Sequence, residues 1–257
     1  MPIATVARFN VTPVKSTRLH HPEEIRIEPH GAVGNRDFFF VDEDGRRLSG
    51  ERKHPLLVLE SSYDAATDRI ALRTTAGLGA EGPAAGGPEA VVADFWGRNV
   101  PAHVVEGDFE ELLTRFVGPP TRLARVDRPG DATDVRALTL VSLASVEELS
   151  RQGGRDTSVD PARFRMTIEV EGCGPHEEDR WSGRSVRLGG AVIGIGEVVP
   201  RCVVTTLDPA TGVRDFPTLS VINGYRERTP KGQLPFGVYA DVVEPGTVRV
   251  GDPLELV

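Results

Sequence analysis

The apolar positions along the chain fall mostly into short runs in which β-branched residues alternate with polar ones. Such runs include "TVARFNVTPV", "LLVLESSYD", "RIALRT", "FRMTIEV" and "RCVVTTLD". They are bounded by Gly, Pro and Asp, which favour turns. Segments such as "VDEDGRRL" and "VVEPGTVRVGDPLELV" are typical of hairpins and tight turns. The pattern therefore predicts many short strands.

Helical periodicity is confined to three brief segments. "GDFEELLTRFVG" begins with Asp108 as a candidate N-cap, and "SLASVEELSRQGG" begins with Ser142 in the same role. The third segment, "TLSVINGYRERTP", is expected to end at Pro230. So little helix among so many strands predicts a β-rich α+β protein, built from barrels or sandwiches rather than from a βαβ sheet.

Two stretches interrupt the apolar pattern. Residues 76–90, "AGLGAEGPAAGGPEA", consist of Ala, Gly, Pro, Glu and one Leu, and we expect a mobile surface loop there. Their glycines have the G-x-G-x-x-G spacing of dinucleotide sites, but no helix follows, so the spacing carries little weight. The polar, turn-rich stretch 126–135 predicts a boundary between two domains, residues 1–125 and residues 126–257.

Composition restricts the partners of the protein more than its fold. A formal net charge of -8, without any lysine- or arginine-rich run, argues against a nucleic-acid partner. No apolar stretch reaches the roughly 18 residues that cross a bilayer, and the N-terminus lacks the order of a signal peptide. The two cysteines form no disulfide framework. We therefore expect a cytoplasmic protein with no membrane partner.

Cys202 is the most conspicuous candidate for chemistry, because it directly follows Arg201 in "PRCVVTTLDPATG". A neighbouring guanidinium favours the thiolate, which is the form of cysteine that binds metals. The alternative is a buried, inert cysteine. The residue pattern alone leaves both interpretations open.

Several polar residues lie where predicted strands begin or end. Lys15 and Ser16 follow the first strand in "TPVKSTR", Arg36 stands near glycines in "VGNRDFFFV", and Arg165 precedes a strand in "ARFRMTIEV". Taken singly, each charge is more often solvated than bound to a ligand. The amides at the predicted helix start at Ser142 are a further means of binding an anion.

The remaining candidates are weaker. The six histidines show no spacing typical of metal ligands, so we do not expect a zinc site. "CGPHEED" places Cys173 near His176 and Glu177, which admits a Cys–His nucleophile. The intervening Gly and Pro suggest a loop, however, and no oxyanion hole can be recognised.

Longer motifs resemble those of one family. They are "FRMTIEVEGCGPHEEDRWSGRSVRLGG", "PRCVVTTLDPATG" and "PFGVYADVVEPGTVRVGDPLELV" towards the C-terminus, and "VTPVKS", "GAVGNRDFFFVDEDGRRLS" and "HPLLVL" nearer the N-terminus. The first set resembles the MOSC domain, which is named for the C-terminal domain of molybdenum cofactor sulfurase. The second resembles the β-barrel domain that precedes it in the branch containing the amidoxime-reducing components. The resemblance implies an N-terminal β-barrel-like domain followed by a MOSC β-barrel with short helices.

The resemblance also implies a molybdenum cofactor in the cleft between the domains, with Cys202 as the catalytic cysteine and the metal ligand. The residues that would hold the cofactor are Lys15, Ser16, Arg36 and Arg165, with Ser142, Thr167, Arg201 and Tyr239 as further candidates. Thr167 departs from the family pattern, because many relatives carry R-P-N where this chain reads R-M-T. A hydroxyl therefore replaces an amide at that position.

The activity implied is that of an oxidoreductase that reduces small N-oxygenated substrates, such as hydroxylamines or amidoximes. Neither a membrane anchor nor an iron–sulfur domain is recognisable, so we expect electrons from a separate electron-transfer protein. An alternative is a carrier of sulfur or of the cofactor, with a persulfide on Cys202. A third reading is a protein that binds the cofactor without turnover.

Overall fold

The structure, a computed structural model, describes residues 2–118 and 120–257. Strands dominate its first half, where they are β1 (Ala4–Phe9), β2 (Glu24–Glu28), β3 (Gly31–Ala32), β4 (Phe38–Val41), β5 (Arg47–Leu48), β6 (Glu60–Asp64), β7 (Arg69–Arg73), β8 (Gly79–Pro83), β9 (Gly86–Phe95), β10 (Arg98–Val105) and β11 (Arg122–Val126). One α-helix, α1 (Phe109–Val117), lies between β10 and β11.

The second half adds two helices and seven strands. In chain order they are β12 (Leu138–Ser142), α2 (Leu143–Gln152), β13 (Ile168–Glu171), β14 (Ser185–Leu188), β15 (Ala191–Pro200), α3 (Thr218–Tyr225), β16 (Pro235–Glu244), β17 (Gly246–Arg249) and β18 (Pro253–Leu256). Short 3-10 helices occupy His54–Val58, Pro161–Phe164, Glu177–Trp181 and Val203–Thr206.

A closed barrel forms the centre of the second half, with the strand order β1-β13-β12-β16-β15-β14-β18. Its first strand comes from the N-terminus, because β1 pairs antiparallel with both β13 and β18. Only β12 and β13 run parallel among the described strand pairs. A further sheet, β17-β2-β3, also joins the two halves of the chain.

The first half contains a five-stranded sheet, β5-β4-β11-β10-β9, and a three-stranded sheet, β6-β7-β8. Phe38 and Phe40 of β4 face Leu113 of α1 in one fully buried apolar cluster, while Phe39, between them, points to the other side of the sheet. This alternation places apolar residues on both faces of β4. Strand β4 is therefore fixed in register at the point where it leads into the site.

The predicted fold class is confirmed: the protein is β-rich, with a closed barrel and short helices. All three predicted helices form, although α3 ends at Tyr225 rather than near Pro230. Asp108 and Ser142 are the N-caps of α1 and α2, but neither side chain makes the expected capping hydrogen bond.

The prediction of a mobile loop at residues 76–90 is wrong. Gly79–Pro83 pairs along the whole of β7, and Gly86–Phe95 pairs with β10. Backbone hydrogen bonding, rather than side-chain burial, holds these small residues in strands. A Cβ on Gly86 would lie 2.5 Å from Cβ of His103, so the strands approach closely because this position is glycine.

Two further strand predictions need correction. "RCVVTTLD" contains a 3-10 helix at Val203–Thr206, and "FRMTIEV" begins its strand only at Ile168, after a separate 3-10 helix. In both places β-branched residues suggested a strand, whereas a turn satisfies the local backbone.

Among the described residues, no helix is long and apolar enough to cross a membrane.

Candidate functional site

Three side chains from separate parts of the chain form the centre of a buried ionic cluster. Lys15 Nζ lies 2.9 Å from Oδ1 of Asp134, and Arg36 Nη1 lies 2.6 Å from its Oδ2. The side chains of Lys15 and Arg36 are only 10% and 6% exposed, whereas that of Asp134 is 30% exposed. The two cations therefore lie deeper than the carboxylate that neutralises them.

Two arginines from the second half extend this cluster. Arg36 Nη2 donates to the carbonyl of Arg165 at 2.9 Å, and Arg165 Nη2 donates to the carbonyl of Thr17 at 2.6 Å. Arg201 Nη2 donates to the carbonyl of Phe164 at 2.5 Å. We call Lys15, Arg36, Asp134, Arg165 and Arg201 the cationic cluster. It joins residues from both halves of the chain.

The charges of the cationic cluster act on one another. Burial alone would raise the pKa of Asp134, but the charges of Arg36 and Lys15 outweigh it and hold that pKa far below its usual range. Burial lowers the pKa of Lys15 to about 7, with Asp134 opposing the shift and Arg36 adding to it. Burial, followed by the charge of Arg36, lowers the pKa of Arg165 to about 9. The positive charges are thus incompletely compensated.

The backbone at this cluster adopts conformations that L-residues seldom take. Ser16, Arg36 and Arg165 have φ angles of 77°, 62° and 54°. Left-handed backbone at a non-glycine residue costs about 1–3 kcal/mol and is concentrated at functional sites. Three of the residues predicted from the motifs therefore share one unusual local geometry.

Hydrogen bonds between the two N-terminal turns hold that geometry. Arg36 N donates to the carbonyl of Thr12 at 2.7 Å, and Lys15 N donates to the carbonyl of Phe38 at 2.8 Å. The side-chain oxygen of Asn35 accepts from Thr12 N at 3.1 Å. Ser16 itself is buried, and no hydrogen bond joins its hydroxyl to another residue in the described part of the chain. Its hydroxyl is therefore free to contact a ligand.

Cys202 is exposed and is the N-cap of the 3-10 helix Val203–Thr206. Its carbonyl accepts from the Thr205 hydroxyl at 3.0 Å, which fixes the turn. Although the residue as a whole is exposed, partial desolvation of its thiol raises the pKa of Cys202, and this outweighs the lowering by the Val204 amide and by Arg201. The charge of Arg201 thus acts in the expected direction, towards the thiolate, without lowering the pKa overall.

A second layer of contacts supports the Cys202 turn. The buried Arg163 donates to the carbonyl of Thr205 at 3.1 Å and pairs with both oxygens of Asp215, at 3.2 and 3.0 Å. The hydroxyl of Thr218, at the start of α3, donates to the same Thr205 carbonyl at 2.6 Å. The cysteine therefore projects from a turn that is anchored at two points.

Tyr239 lies on β16 and is 5% exposed. Burial raises the pKa of its hydroxyl to about 12, and the charges of Asp134, Arg201 and Arg36 also act on it. Thr167 is buried beside Thr139: its amide donates to the Thr139 hydroxyl at 2.9 Å, and the two hydroxyls are 3.3 Å apart. Tyr239 thus faces the charges of the cluster, while the Thr167 hydroxyl is occupied by a neighbour.

Ser142 lies apart from the cationic cluster in the contacts of the described residues. It is fully buried at the opposite end of β12 from Thr139, where its amide donates to Glu178 at 3.3 Å and its hydroxyl lies 3.4 Å from the thiol of Cys173. The carboxylate of Glu178 also accepts from the Ser145 hydroxyl at 2.7 Å. The protein's own carboxylate therefore occupies the helix start where we expected an external anion.

Three residues of this region were not predicted from the sequence: Asp134, which belongs to the cationic cluster, and Arg47 and Trp96, which lie beside it. Asp134 lies in the turn-rich stretch that we interpreted only as a boundary. Arg47 and Lys15 both stack on the ring of Trp96, at 4.9 and 5.0 Å from its centroid. Trp96 is half-exposed and has a φ of 55°. A bulky aromatic before Gly97 in a hairpin turn was the one signal in the sequence.

Comparison with known proteins assigns the chain to a family. The model of the MOSC domain matches residues 127–255, and the model of the MOSC N-terminal beta barrel domain matches residues 3–120. The chain belongs to the MOSC family. The resemblance seen in the motifs is therefore confirmed, and the two matches together cover almost all of the sequence.

Individual relatives share only modest sequence identity with this MOSC protein. Mitochondrial amidoxime-reducing component 1 from Homo sapiens is 26% identical over 99% of this chain and 83% of that protein. Its counterpart from Danio rerio is 29% identical over 98% and 84%. The corresponding protein from Mus musculus is 36% identical, but that match covers only 48% of this chain and 37% of the mouse protein.

Among solved structures, the YUAD protein from Bacillus subtilis is similar, with a TM-score of 0.44 and 14% identity over 98% of this chain and 94% of that one. YiiM from Escherichia coli has a TM-score of 0.35 and 22% identity over 48% of this chain and 56% of that one.

The cationic cluster of this MOSC protein fits a phosphorylated ligand. The buried Nε atoms of Arg36 and Arg201 have no hydrogen-bond partner among the described residues, although a buried donor without a partner is costly. Four cations surround a single carboxylate, and arginine recognises phosphate through paired N–H groups. The donors present therefore match an anionic group with several oxygens.

Cys202 does not belong to a larger group of metal ligands. No three His, Cys, Asp or Glu side chains come together to hold a metal within residues 2–118 and 120–257. A metal bound to this thiolate would then take its other ligands from a bound group. An open concavity of about 430 Å³ lies beside the turn, lined by Val203, Thr206 and the segment from Arg214 to Ser220. It offers room for a small molecule beside the 3-10 helix that follows Cys202, although Cys202 itself is not among the lining residues.

Proposed function

We propose that this MOSC protein binds a molybdenum cofactor and reduces small N-hydroxylated substrates with electrons from a separate redox protein. The observation that carries the proposal is the cationic cluster next to the exposed Cys202. The names of the relatives, amidoxime-reducing components, indicate the substrate class. The net reaction consumes two electrons and two protons, breaks the N–O bond and yields the amine and water.

Lys15, Ser16, Arg36 and Arg165 would hold the phosphate of the cofactor. The arginines supply paired N–H donors, and the Ser16 hydroxyl supplies one that no described residue uses. Because these side chains project from three hydrogen-bonded turns, they would be oriented before the ligand arrives. Arg201 would lie between this phosphate site and the cysteine that follows it.

Cys202 would provide the thiolate ligand to molybdenum. Its pKa is raised in the free protein, so metal binding must displace the thiol proton, as is usual for cysteine ligands. When bound, the cofactor supplies the two-electron chemistry that breaks the N–O bond. Tyr239, whose pKa is about 12, keeps its hydroxyl proton at neutral pH and is able to donate a hydrogen bond to a ligand.

The concavity beside the Cys202 turn is our candidate for the substrate site. It is open to solvent and reaches the start of α3, where Phe216, Pro217 and Leu219 provide apolar surface. A small substrate with an apolar body and a polar N–O group would bury its body there, against a wall that includes Val203, the residue after Cys202.

The test is to produce the protein in a host that makes the pterin cofactor and to measure its molybdenum content by elemental analysis. Cys173→Ala is a matched control for Cys202→Ala, because Cys173 touches Ser142 rather than the cationic cluster. We expect about one molybdenum per chain in wild type and in Cys173→Ala. Both should reduce an N-hydroxylated compound with an artificial electron donor, and Cys202→Ala should not. A loaded wild-type protein without this activity would contradict the reductase assignment.

The exposure of Cys202 also favours a second candidate, a carrier of sulfur or of the cofactor. In that case the Cys202 thiolate would take the outer sulfur from a persulfide on a donor protein, leaving the donor's thiol, and pass that sulfur on to another protein. Mass spectrometry of the intact protein separates the two functions. A labile added sulfur that is lost in Cys202→Ala, together with no molybdenum in wild type, would favour the carrier.

A further inference from the structure

Within the described part of the chain, Asp134 is the one carboxylate that bonds to any of the four cations of the cationic cluster. Each of its oxygens contacts a different cation, Lys15 at 2.9 Å and Arg36 at 2.6 Å. Arg98 holds the adjoining backbone, since its Nη2 donates to the carbonyls of Thr133 and Asp134 at 3.1 and 2.9 Å. The carboxylate is therefore anchored as a bridge between the two cations.

The carboxylate of this bridge lies nearer to the solvent than the two cations it joins. The side chain of Asp134 is 30% exposed, but those of Lys15 and Arg36 are 10% and 6% exposed. An anion approaching from solvent meets the carboxylate before it reaches either cation. A carboxylate and a phosphate each present a pair of oxygens to such donors, so both compete for the same N–H groups.

The charge balance makes simultaneous binding unfavourable. The depressed pKa of Asp134 keeps it ionised throughout the neutral range. A phosphate on Lys15 and Arg36 would then lie beside a permanent negative charge in a partly buried region, where like charges repel more strongly than in water. Arg165 and Arg201 have no carboxylate partner among the described residues, so the surrounding charge favours an anion at the same place.

We propose that Asp134 is a specificity-determining residue that occupies, in the free protein, the position of the ligand's phosphate. A phosphorylated ligand binds by displacing the carboxylate from Lys15, from Arg36 or from both. Simple phosphate makes too few other contacts to displace it efficiently, whereas a larger ligand gains contacts elsewhere in the site. The inference rests on the proposed function only for the presence of a phosphate in the ligand.

The experiment measures binding of inorganic phosphate to the full chain, produced in a host that lacks the pterin cofactor, by isothermal titration calorimetry. Asp134→Asn keeps the shape of the side chain and removes its charge. Glu51→Gln is the control, because Glu51 is exposed, acts electrostatically on Arg47 and Cys202, and makes no hydrogen bond with Lys15 or Arg36. We expect the Kd for phosphate to fall at least tenfold in Asp134→Asn and less than twofold in Glu51→Gln.

Equal effects in the two variants would overturn the proposal, since they would reflect overall charge alone. Weaker phosphate binding in Asp134→Asn would also overturn it, because Asp134 would then act by positioning Lys15 and Arg36. Asp134→Glu keeps the charge, and we expect it to bind phosphate as weakly as wild type. Tighter binding in that variant would again contradict displacement.

Asp134→Asn leaves buried cations unpaired and could lose stability. In that case thermal unfolding with phosphate, compared with chloride at equal ionic strength, replaces calorimetry. A rise in Tm specific to phosphate and larger than in wild type supports the proposal, and no such rise refutes it. None of these measurements requires molybdenum, so failure of the protein to load the cofactor would sink the proposed function while leaving this inference intact.

Discussion

At the scale of single residues, the site depends on side chains held in backbone conformations that they do not prefer. Ser16, Arg36 and Arg165 all have positive φ angles, and all lie in the cationic cluster or next to it. Such strain persists only where surrounding contacts impose it. Here those contacts are the hydrogen bonds between the turn at residues 12–17 and the turn at residues 35–38.

Replacing Ser16 with glycine should release part of this strain. Glycine adopts a φ of 77° without steric cost, so we expect Ser16→Gly to stabilise the protein by up to about 1 kcal/mol. Ser220→Gly, at an exposed position within α3, should instead destabilise it by about 0.5–1 kcal/mol. Chemical denaturation gives both values. Destabilisation by Ser16→Gly would mean that its side chain makes a contact stronger than the strain.

The two cysteines should differ in reactivity because they differ in exposure. Cys202 is exposed, whereas Cys173 is partly buried against Ser142. We expect a neutral alkylating reagent to modify Cys202 at least tenfold faster in the free protein, as followed by peptide mass spectrometry. The fast phase should vanish in Cys202→Ala and remain in Cys173→Ala. A single rate shared by both thiols would contradict the exposed turn.

Sequence motifs pointed to most side chains of the cationic cluster, and the reason is local. Lys15, Ser16, Arg36, Arg165 and Cys202 each stand in a short run that turns the chain in a recognisable way. Asp134 escaped notice because its partners, Lys15 and Arg36, lie 119 and 98 positions away. Nothing in "GDATDV" indicates that one of its aspartates is buried between cations. Asp134 comes next to Lys15 and Arg36 only once the chain has folded.

At the scale of elements, the Cys202 turn and helix α2 are each held by a buried ionisable side chain from a neighbouring segment. Arg163 supports the 3-10 helix Val203–Thr206, and Glu178 covers the N-terminus of α2. The hydrophobic periodicity of the sequence indicated neither support, because β-branched residues occur in 3-10 helices as well as in strands. For the same reason the sequence pattern wrongly predicted a strand in "RCVVTTLD". At residues 76–90 the small residues concealed two strands, β8 and the start of β9.

Removing Arg163 should weaken the Cys202 turn. Arg163→Met keeps an apolar stem but removes the nearer of the two arginines that pair with Asp215, whose side chain is 28% exposed. We expect a loss of about 2 kcal/mol in the free energy of unfolding, below the range for fully buried pairs because Asp215 can be hydrated. Denaturant titration measures it. Arg155→Met is the control, since its ion pair with Asp215 is 3.9 Å long and its 2.9 Å hydrogen bond to the Asp215 carbonyl is exposed, and it should cost less than about 1 kcal/mol.

Glu178 should make the stability of α2 depend on pH. Burial raises its pKa to about 7 from 4.5, so the folded state holds the proton more tightly and this group loses stability as pH rises from 4.5 to 7. Burial lowers the pKa of the nearby His176 to about 4 from 6.5, so that group gains stability with pH in an overlapping range. The two contributions oppose each other in wild type.

Single variants should separate these contributions. Relative to wild type, we expect the stability of Glu178→Gln to rise with pH between 4.5 and 6.5, and that of His176→Gln to fall. Urea unfolding at a series of pH values gives both profiles. The opposite charges facing this region, Arg226 and Glu148, remain in both variants, so parallel profiles in all three proteins would exclude these two groups as the source.

At the scale of the whole molecule, the two sequence segments recognised as domains share one barrel. β1, from the N-terminal segment, lies between β13 and β18, and β2 pairs with β17. The sequence pattern predicted the number and type of strands, and the family resemblance predicted a barrel. Neither indicated that the barrel takes its first strand from the N-terminal segment, because strand order is set by long-range packing.

A fragment comprising residues 126–257 should therefore fail to fold alone. Without β1 the barrel keeps two unpaired edges, on β13 and β18, and the interior loses Val6 and Phe9. We expect aggregation or broad NMR lines from this fragment. A circular permutant that begins at residue 126 and continues through a flexible linker into residues 1–125 should be folded, since Ala4 and Leu254 are paired neighbours. A well-folded fragment would show that β1 is dispensable.

The pairing of Ala4 with Leu254 also constrains the order in which the barrel assembles during synthesis. Of the seven barrel strands β1 is made first and β18 last, so the barrel closes only after all seven have left the ribosome. Until β18 emerges, β1 keeps at least one unpaired edge exposed to chaperones and to other nascent chains. Lys15 and Arg36 are likewise made well before Arg165 and Arg201, so the cationic cluster is completed only late in synthesis.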